Sequence, residues 1–431
     1  MREIVVRIAV GALLLGMIAA VARSEPPSDN QDIQTTIKAL KARIRDQERR
    51  LAELESRQNQ QRLEEARREE IRKVVKELNL DASKRSTMPK WLENLKFYGD
   101  LRLRYQGEYF SGRSRKTRNR ARFRLRIGFK KTWLEKQMEV GFRLASGSSS
   151  SPTSTNQTFD GSFSEKHIWI DLAYAKYSPK WLKGFTIIGG KMKKPFVHTD
   201  LVWDSDLNPE GVWGQYKHKL RNFEPFAGVG YFVVEENNHD HDAILVAYQA
   251  GFNWKLTKDV KWTCAATYYD YDHIDTNYLA ASGNDVNAEG KLAAGKFHMI
   301  NLTNKVGFKV FDLPVGVYFD WIHNCGDSDS AEDYDDQSDG FACGIKVGKN
   351  KKKGDWSCGY KYAYIEANCT PGEFNDSDFW GANRKGHTFG AKYNLTDSLT
   401  IGAKVLLTEP VTGPHQGERD TTVQVDLVWK F

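Results

Sequence analysis

In the segment RNRARFRLRIGF, Arg118, Arg120, Arg122, Arg124 and Arg126 fall on every second position, with Ala121, Phe123, Leu125, Ile127 and Phe129 alternating against them. A period of two separates such sets onto the two faces of an extended strand. Guanidiniums along one face repel one another, so that face must meet water or acidic partners. The chemistry open to it is electrostatic. It is either a wall that attracts anions or a structural ladder neutralised by acids from elsewhere in the chain. The preceding segment adds Arg102 and Arg104, with Asp100 and Glu108, at the same parity, and the following one adds Arg143 beside Glu139. Lys255, Lys305, Lys309, Lys346, Lys361, Lys392 and Lys404 fall on the polar parity of later segments. An acidic counterpart lies at 193–210, which carries Asp200, Asp204, Asp206 and Glu210 together with Phe196 and Trp203. If those aromatics are buried, the stretch folds inward, narrows an opening and sets its acids across from the arginines. If they are not, it lies outside over a rim.

Other chemistries find little support. A hydrolase needs a nucleophile, a base and an orienting group on one face. The sequence has no G-x-S-x-G motif, and Ser164 lies on the opposite parity from His167 and Asp171. No catalytic residue is therefore assigned. Asn238-His239-Asp240-His241-Asp242 reads as a solvated polar turn rather than a metal site. The acidic run 327–339 lacks the ligand spacing of a calcium loop, so no metal or cofactor is expected. Cys264, Cys343 and Cys358 share the apolar parity, whereas Cys325 and Cys369 lie in successive long connections and are candidates for a disulfide. A formal charge of +7 would suggest nucleic acid in a cytosolic protein, but the N-terminus argues for export and against that partner.

That N-terminus has basic residues in MREIVVR, an apolar run from Ile8 to Val21 and small residues at Ala20-Val21-Ala22. It reads as a secretory leader over 1–22, with cleavage after Ala22 or Ser24. No later stretch is long and apolar enough for a membrane helix. An exported chain without such a helix can still cross a membrane as a closed barrel, in which every backbone group pairs between strands.

The elements that would hold the arginine wall follow from the change of period. Over about 31–80, Ile33, Ile37, Leu40, Ile44, Leu51 and Leu54, with Gln47 filling one core position, recur in steps of four and three, which is a coiled-coil seam. Residues 81–94, with Pro89, read as a linker. From Leu95 to Phe431 the period is two, and about sixteen strands are expected. Short connections such as 257–259, 312–314 and 396–398 alternate with long ones such as 147–164, 193–210, 273–295, 324–339 and 368–384, as in an antiparallel barrel of an outer membrane. The final segment, TTVQVDLVWKF, puts Val423, Val425, Leu427, Trp429 and Phe431 on one face. It has the form of a terminal lipid-facing strand whose Trp429 and Phe431 act as an assembly signal. Mean hydropathy of −0.60 with 12% aromatic residues suits alternating strands and aromatic girdles.

KFYGDLRLRYQGEYF followed by RARFRLRIGF, after an exported coiled coil, resembles the putative porin family of Gram-negative outer membranes and more distantly the phosphate-selective porins. The likeness covers about 91–431 in layout, with its specific motifs at 97–130 and 423–431, and departs at Asp426, where Gly is common. It implies an outer-membrane porin that passes small hydrophilic solutes or ions passively, usually as a homotrimer, with the coiled coil in the periplasm. Expected partners are outer-membrane lipid and lipopolysaccharide, and the machinery that assembles such barrels. The alternative is a structural barrel that tethers the outer membrane to peptidoglycan through its coiled coil.

Overall fold

The computed structural model describes residues 30–84 and 92–431 apart from 113–115, 150, 240, 275–281, 287–291, 293–295 and 327–336; within the first segment, side chains are described over 37–76. The leader at 1–22 and most of the acidic run 327–339 lie outside the described residues. The chain divides into two units, Met1–Lys90 and Trp91–Phe431.

In the first unit, α1 (Asn30–Lys84) is a single helix that continues through the start of the stretch read as a linker. Its segment is rich in helix formers and has neither Gly nor Pro. The apolar stripe Ile37, Leu40, Ile44, Leu51 and Leu54 is exposed along it. No described helix is long and apolar enough to cross a membrane.

The second unit is a closed antiparallel barrel. Its strands are β1 (Leu95–Phe110), β2 (Arg118–Trp133), β3 (Met138–Ser146), β5 (Ile168–Tyr177), β6 (Phe185–Lys191), β7 (Glu210–Lys217), β8 (Phe223–Glu235), β9 (Ala243–Lys255), β10 (Lys261–Asp272), β11 (His298–Val310), β12 (Leu313–Asn324), β13 (Asp339–Gly348), β14 (Trp356–Ile365), β15 (Arg384–Asn394), β16 (Leu399–Pro410) and β17 (Asp420–Lys430). An additional two-residue strand, β4 (Gln157–Thr158), straps onto β2 through Arg122↔Thr158 and Phe123↔Gln157. Each barrel strand pairs with its neighbours in the chain, and β1 pairs with both β2 and β17, which closes the sheet. The closing seam runs Asp100↔Lys430 to Phe110↔Asp420 and is extended by Gly99 N–H donating to the Phe431 carbonyl at 2.9 Å. A side chain at Gly99 would collide with the Phe431 ring, so glycine is what admits the last residue here.

Sixteen strands form the wall between Leu95 and Lys430, the number expected, with β4 additional. The short turns share one end of the barrel with Leu95 and Lys430, and the long loops share the other. One turn differs from the expectation at 312–314. Phe311 and Asp312 carry φ of 47° and 65° between the paired residues Val310 and Leu313. That is a mirror-image two-residue turn, whose twist matches the strands it joins. Pro314 is consequently the second residue of β12, near the strand start where a missing N–H is tolerated.

Outward-facing Leu103, Ile127, Val229, Ile300, Phe319, Ile345, Ile401 and Val425 are exposed, as suits contact with lipid. The hydrophobic core lies inside the barrel. It joins inward residues of β5 to β14 and β16, such as Leu172, Trp213, Phe232, Tyr269, Met299 and Ile322, to loop residues Phe196, Leu201, Trp203, Phe374 and Phe379. Phe196 sits 5.6 Å from the ring centroids of both Trp203 and Trp213, and 5.8 Å from that of Tyr269.

Candidate functional site

The register of β1 against β2 sets Arg102 opposite Arg124 and Arg104 opposite Arg122. Only nearby acids make that arrangement tolerable. Asp100 supplies one. Its Oδ1 accepts from Arg124 Nη2 at 2.7 Å, and its Oδ2 accepts from Arg126 Nε at 2.8 Å. On the other edge Arg104 lies opposite Asp426 and grips it side-on through Nε and Nη2 at 2.7 and 2.9 Å. Arg120 pairs with Glu108, and Arg143 pairs with Asp171. Arg102 and Arg122 have only neutral partners among the described residues: Asn156 for the first; Gln106, Ser154 and the Asn156 carbonyl for the second.

The loop 192–209 folds into the barrel, carried by its aromatic and aliphatic side chains. Val197 and Gln249 exchange hydrogen bonds of 2.8 Å, and Lys305 Nζ donates to the His198 carbonyl, so the loop is fastened to the inner faces of β9 and β11. Its acids reach separate partners. Asp200 meets Lys361 of β14 at 2.6 Å. Asp206 lies 3.7 Å from Arg124 and 3.6 Å from Arg126. Asp204 accepts from the backbone N–H groups of Asp206 and Ser377. Glu210 stands apart as the first residue of β7, where it pairs with Lys191 at the loop's root. Trp429 lies within the closing seam opposite Leu101, and Phe431 is exposed at its end.

A second loop, 366–383, which the sequence marks only as a long connection, also folds inward. Phe374 stacks on Trp203 with centroids 5.8 Å apart and planes 9° from parallel, while the Phe374 carbonyl accepts from Asp204 N–H at 2.8 Å. Asp378 then meets Lys404 at 2.8 Å and Arg104 at 3.5 Å, and Asp376 meets Lys361 at 3.5 Å. Its mix of acids with Phe374, Phe379 and Trp380 is the signal that had marked 193–210, and it would have served here too. Thr155 Oγ1 donates to Asp206 from a third connection, 147–167. The five cysteines are free. Cys369 is buried with its Sγ 3.3 Å from the Glu366 carbonyl, while Cys325 is exposed, so the pair considered for a disulfide is not joined.

The three loops leave a cavity of about 240 Å³ between themselves and the wall. Asp200, Asp204, Asp206, Asp376 and Asp378 line its loop side, and Arg102, Arg104, Lys392 and Lys404 line its strand side. Toward the turn end a cavity of about 760 Å³ follows, sharing Arg102, Lys392, Gly402 and Asp426 with the first. Opposite charges across a narrow gap of this kind create a transverse field.

Burial would raise the loop carboxyls, but neighbouring cations reverse this for most. Lys361 holds Asp200 below the usual range, Arg124 and Arg102 do so for Asp206, and Lys404 and Arg104 for Asp378. Asp204 is the exception, since burial and the adjacent Asp376 push it up to about 8. A carboxyl whose folded pKa lies above its unfolded value takes up a proton on folding. The seam between the two loops therefore loses stability as pH rises from about 4, and levels off above about 8. Proteolysis within 192–209 and 366–383 is expected to be slow at pH 6 and faster at pH 9. In an Asp204→Asn variant that difference should vanish, and a difference that persists would place its origin elsewhere.

Among curated proteins, none matches this sequence. Among solved structures, the barrel is similar to Pseudomonas putida OprB in its high-pH structure, with 10% identity and a TM-score of 0.54 over 78% of this chain and 94% of that one. A mutant of the Rhodopseudomonas blastica porin aligns at 11% identity and a TM-score of 0.40 over 78% of this chain and all of that one. At such identities the first likeness speaks for the fold. The family described as "Putative porin" matches residues 19–117, 113–288 and 280–431. With the closed barrel and its infolded loops, that match along nearly the whole chain places this protein in the putative porin family.

Proposed function

We propose that this outer-membrane porin passes small hydrophilic solutes by passive diffusion along the β1–β2 and β15–β17 wall, and that it prefers anions. The supporting observation is the charge balance of the lumen. Most acids around the narrow cavity meet a cation: Asp200 and Asp376 share Lys361, Asp206 meets Arg124 and Arg126, Asp378 meets Lys404, and Asp426 meets Arg104. Asp204 is pushed upward by burial and by Asp376, which lessens its negative charge. Arg102, Arg122, Lys346 and Lys392 have no carboxylate within ion-pair distance among the described residues, and the surplus is therefore positive. The pore-lining set is Arg102, Arg104, Arg120, Arg122, Arg124, Arg126 and Arg143, with Asp200, Asp204 and Asp206 on the constricting loop. The aromatic core fills the opposite half of the barrel, which leaves the charged wall as the route. Liposomes carrying the protein should swell in monosaccharide several-fold faster than in trisaccharide. Liposomes that do not swell in either would refute the porin reading.

Termini and short turns face the periplasm in this proposal, and the long loops face outward. The helix over 31–80 associates with two copies of itself, because its apolar stripe is exposed among the described residues of its own unit. Native mass measurement should give a trimer for the full chain and a smaller species once residues 31–80 are removed. An unchanged trimer would assign association to the barrels.

A further inference from the structure

We propose that the cavity at the turn end is a binding site for compact multivalent oxyanions, a reading that rests on the lumen being open to solutes. Arg102, Lys346, Lys349, Lys351, Lys392 and Lys430 line it. None of the six side chains has a carboxylate within ion-pair distance among the described residues, although the Lys351 backbone N–H donates to Asp355 at 3.0 Å. The acid that shares the lining, Asp426, is already gripped by Arg104. Arg124 brings its own counter-charge in Asp100. Arg102 also leaves its Nε buried without an acceptor, in a side chain whose Nη2 reaches only Asn156.

The donors come from separate strands and converge. Lys346 lies on β13 and Lys392 on β15, and these two also share the lining of a further cavity beside Asp200 and Lys361. Lys349 and Lys351 extend the group onto the turn after β13, and Lys430 adds the end of β17. A chloride ion meets such ammonium groups singly. An ion with three or four charged oxygens can meet several at once, and low-dielectric walls around the cavity concentrate the field. The volume of about 760 Å³ admits an ion of citrate size with water around it. Because the cavity adjoins the narrow one, with Arg102 and Lys392 lining both, a polyanion bound there obstructs smaller ions that use this path.

The test adds citrate or tripolyphosphate to the turn side of bilayers holding the full-length protein at about 0.1 M KCl, where the Debye length is about 10 Å. Either ion should reduce chloride current at sub-millimolar concentration, acetate should not, and block should fade near 1 M KCl. Tighter block by citrate assigns carboxylates to the site, and tighter block by tripolyphosphate assigns phosphates. The double variant Lys346→Gln, Lys392→Gln should raise the half-blocking concentration about tenfold. Its folded state is checked by heat-modifiable gel mobility, and calorimetric titration of citrate into detergent-solubilised protein reads binding without any current. Open channels that citrate and tripolyphosphate affect no more than acetate would overturn the site and leave the porin reading intact. A block unchanged in the folded double variant would overturn it as well. Absence of any channel would instead overturn the porin reading.

Discussion

Replacing Asp100 by Asn is expected to prevent most of the protein from assembling. One carboxylate accepts from both Arg124 and Arg126, at distances of 2.7 to 3.0 Å, and Arg124 is itself directly opposite Arg102. With that charge removed, Asp206, 3.6 to 3.7 Å away, is the remaining counter-charge for two guanidiniums. Removing one partner of a buried ion pair costs about 3–5 kcal/mol, because the other charge is left uncompensated. That is a large part of the stability of an ordinary domain. The folded, faster-migrating band on unheated gels should be largely lost in Asp100→Asn and restored when Arg124 is also changed to Gln. A full folded band in the single variant would show that water in the lumen compensates the arginines without help.

The second large effect concerns the loops. Changing Phe196 and Trp203 together to Ala should free the loop 192–209 from the inner wall and raise single-channel conductance several-fold. Each buried aromatic truncated to Ala costs about 3–5 kcal/mol, and each of the ring pairs around Phe196 adds about 0.5–1.5 kcal/mol. The stack of Trp203 on Phe374 is lost at the same time, so the 366–383 loop loosens too. The barrel wall keeps its own hydrogen bonds and should still insert. Trp181→Ala, in a turn where the side chain is largely exposed, is the control and should change nothing. Unchanged conductance in the double variant would mean that this loop does not limit flow.

Much of the fold was legible because the lumen face of a strand such as β2 is charged at every turn of the pleat. Arg on the lipid side costs several kcal/mol near mid-membrane, so the alternation in RARFRLRIGF admits one register. The strand ends and the turn at Phe311 and Asp312 were less legible. A mirror-image turn is set by φ, and neither Phe nor Asp announces positive φ as Asn-Gly would. The two-residue β4 has no pattern at all to read. Within the site, the arginines and the acids of 193–210 could be singled out from composition, but not their pairing. Asp206 meets Arg124 and Arg126 only because its loop folds inward, and Asp378 meets Arg104 across most of the barrel sequence. The surplus of Arg102, Arg122, Lys346 and Lys392 emerges only after those pairs are drawn. No count of charges in the sequence distinguishes them from their matched neighbours.

Anion preference turns on that surplus, and the zero-current potential of the open channel measures it most directly. Across a bilayer with a roughly tenfold KCl gradient, the full-length protein should give a potential of the sign set by chloride passing more readily than potassium. The preference should weaken as total salt rises and the Debye length falls from about 10 Å toward about 3 Å. The double variant Arg102→Gln, Lys392→Gln should move the potential toward cation preference, most clearly at low salt. A wild-type channel that already prefers potassium, or a double variant whose potential does not move, would contradict the account and leave the arginines as struts of the barrel wall.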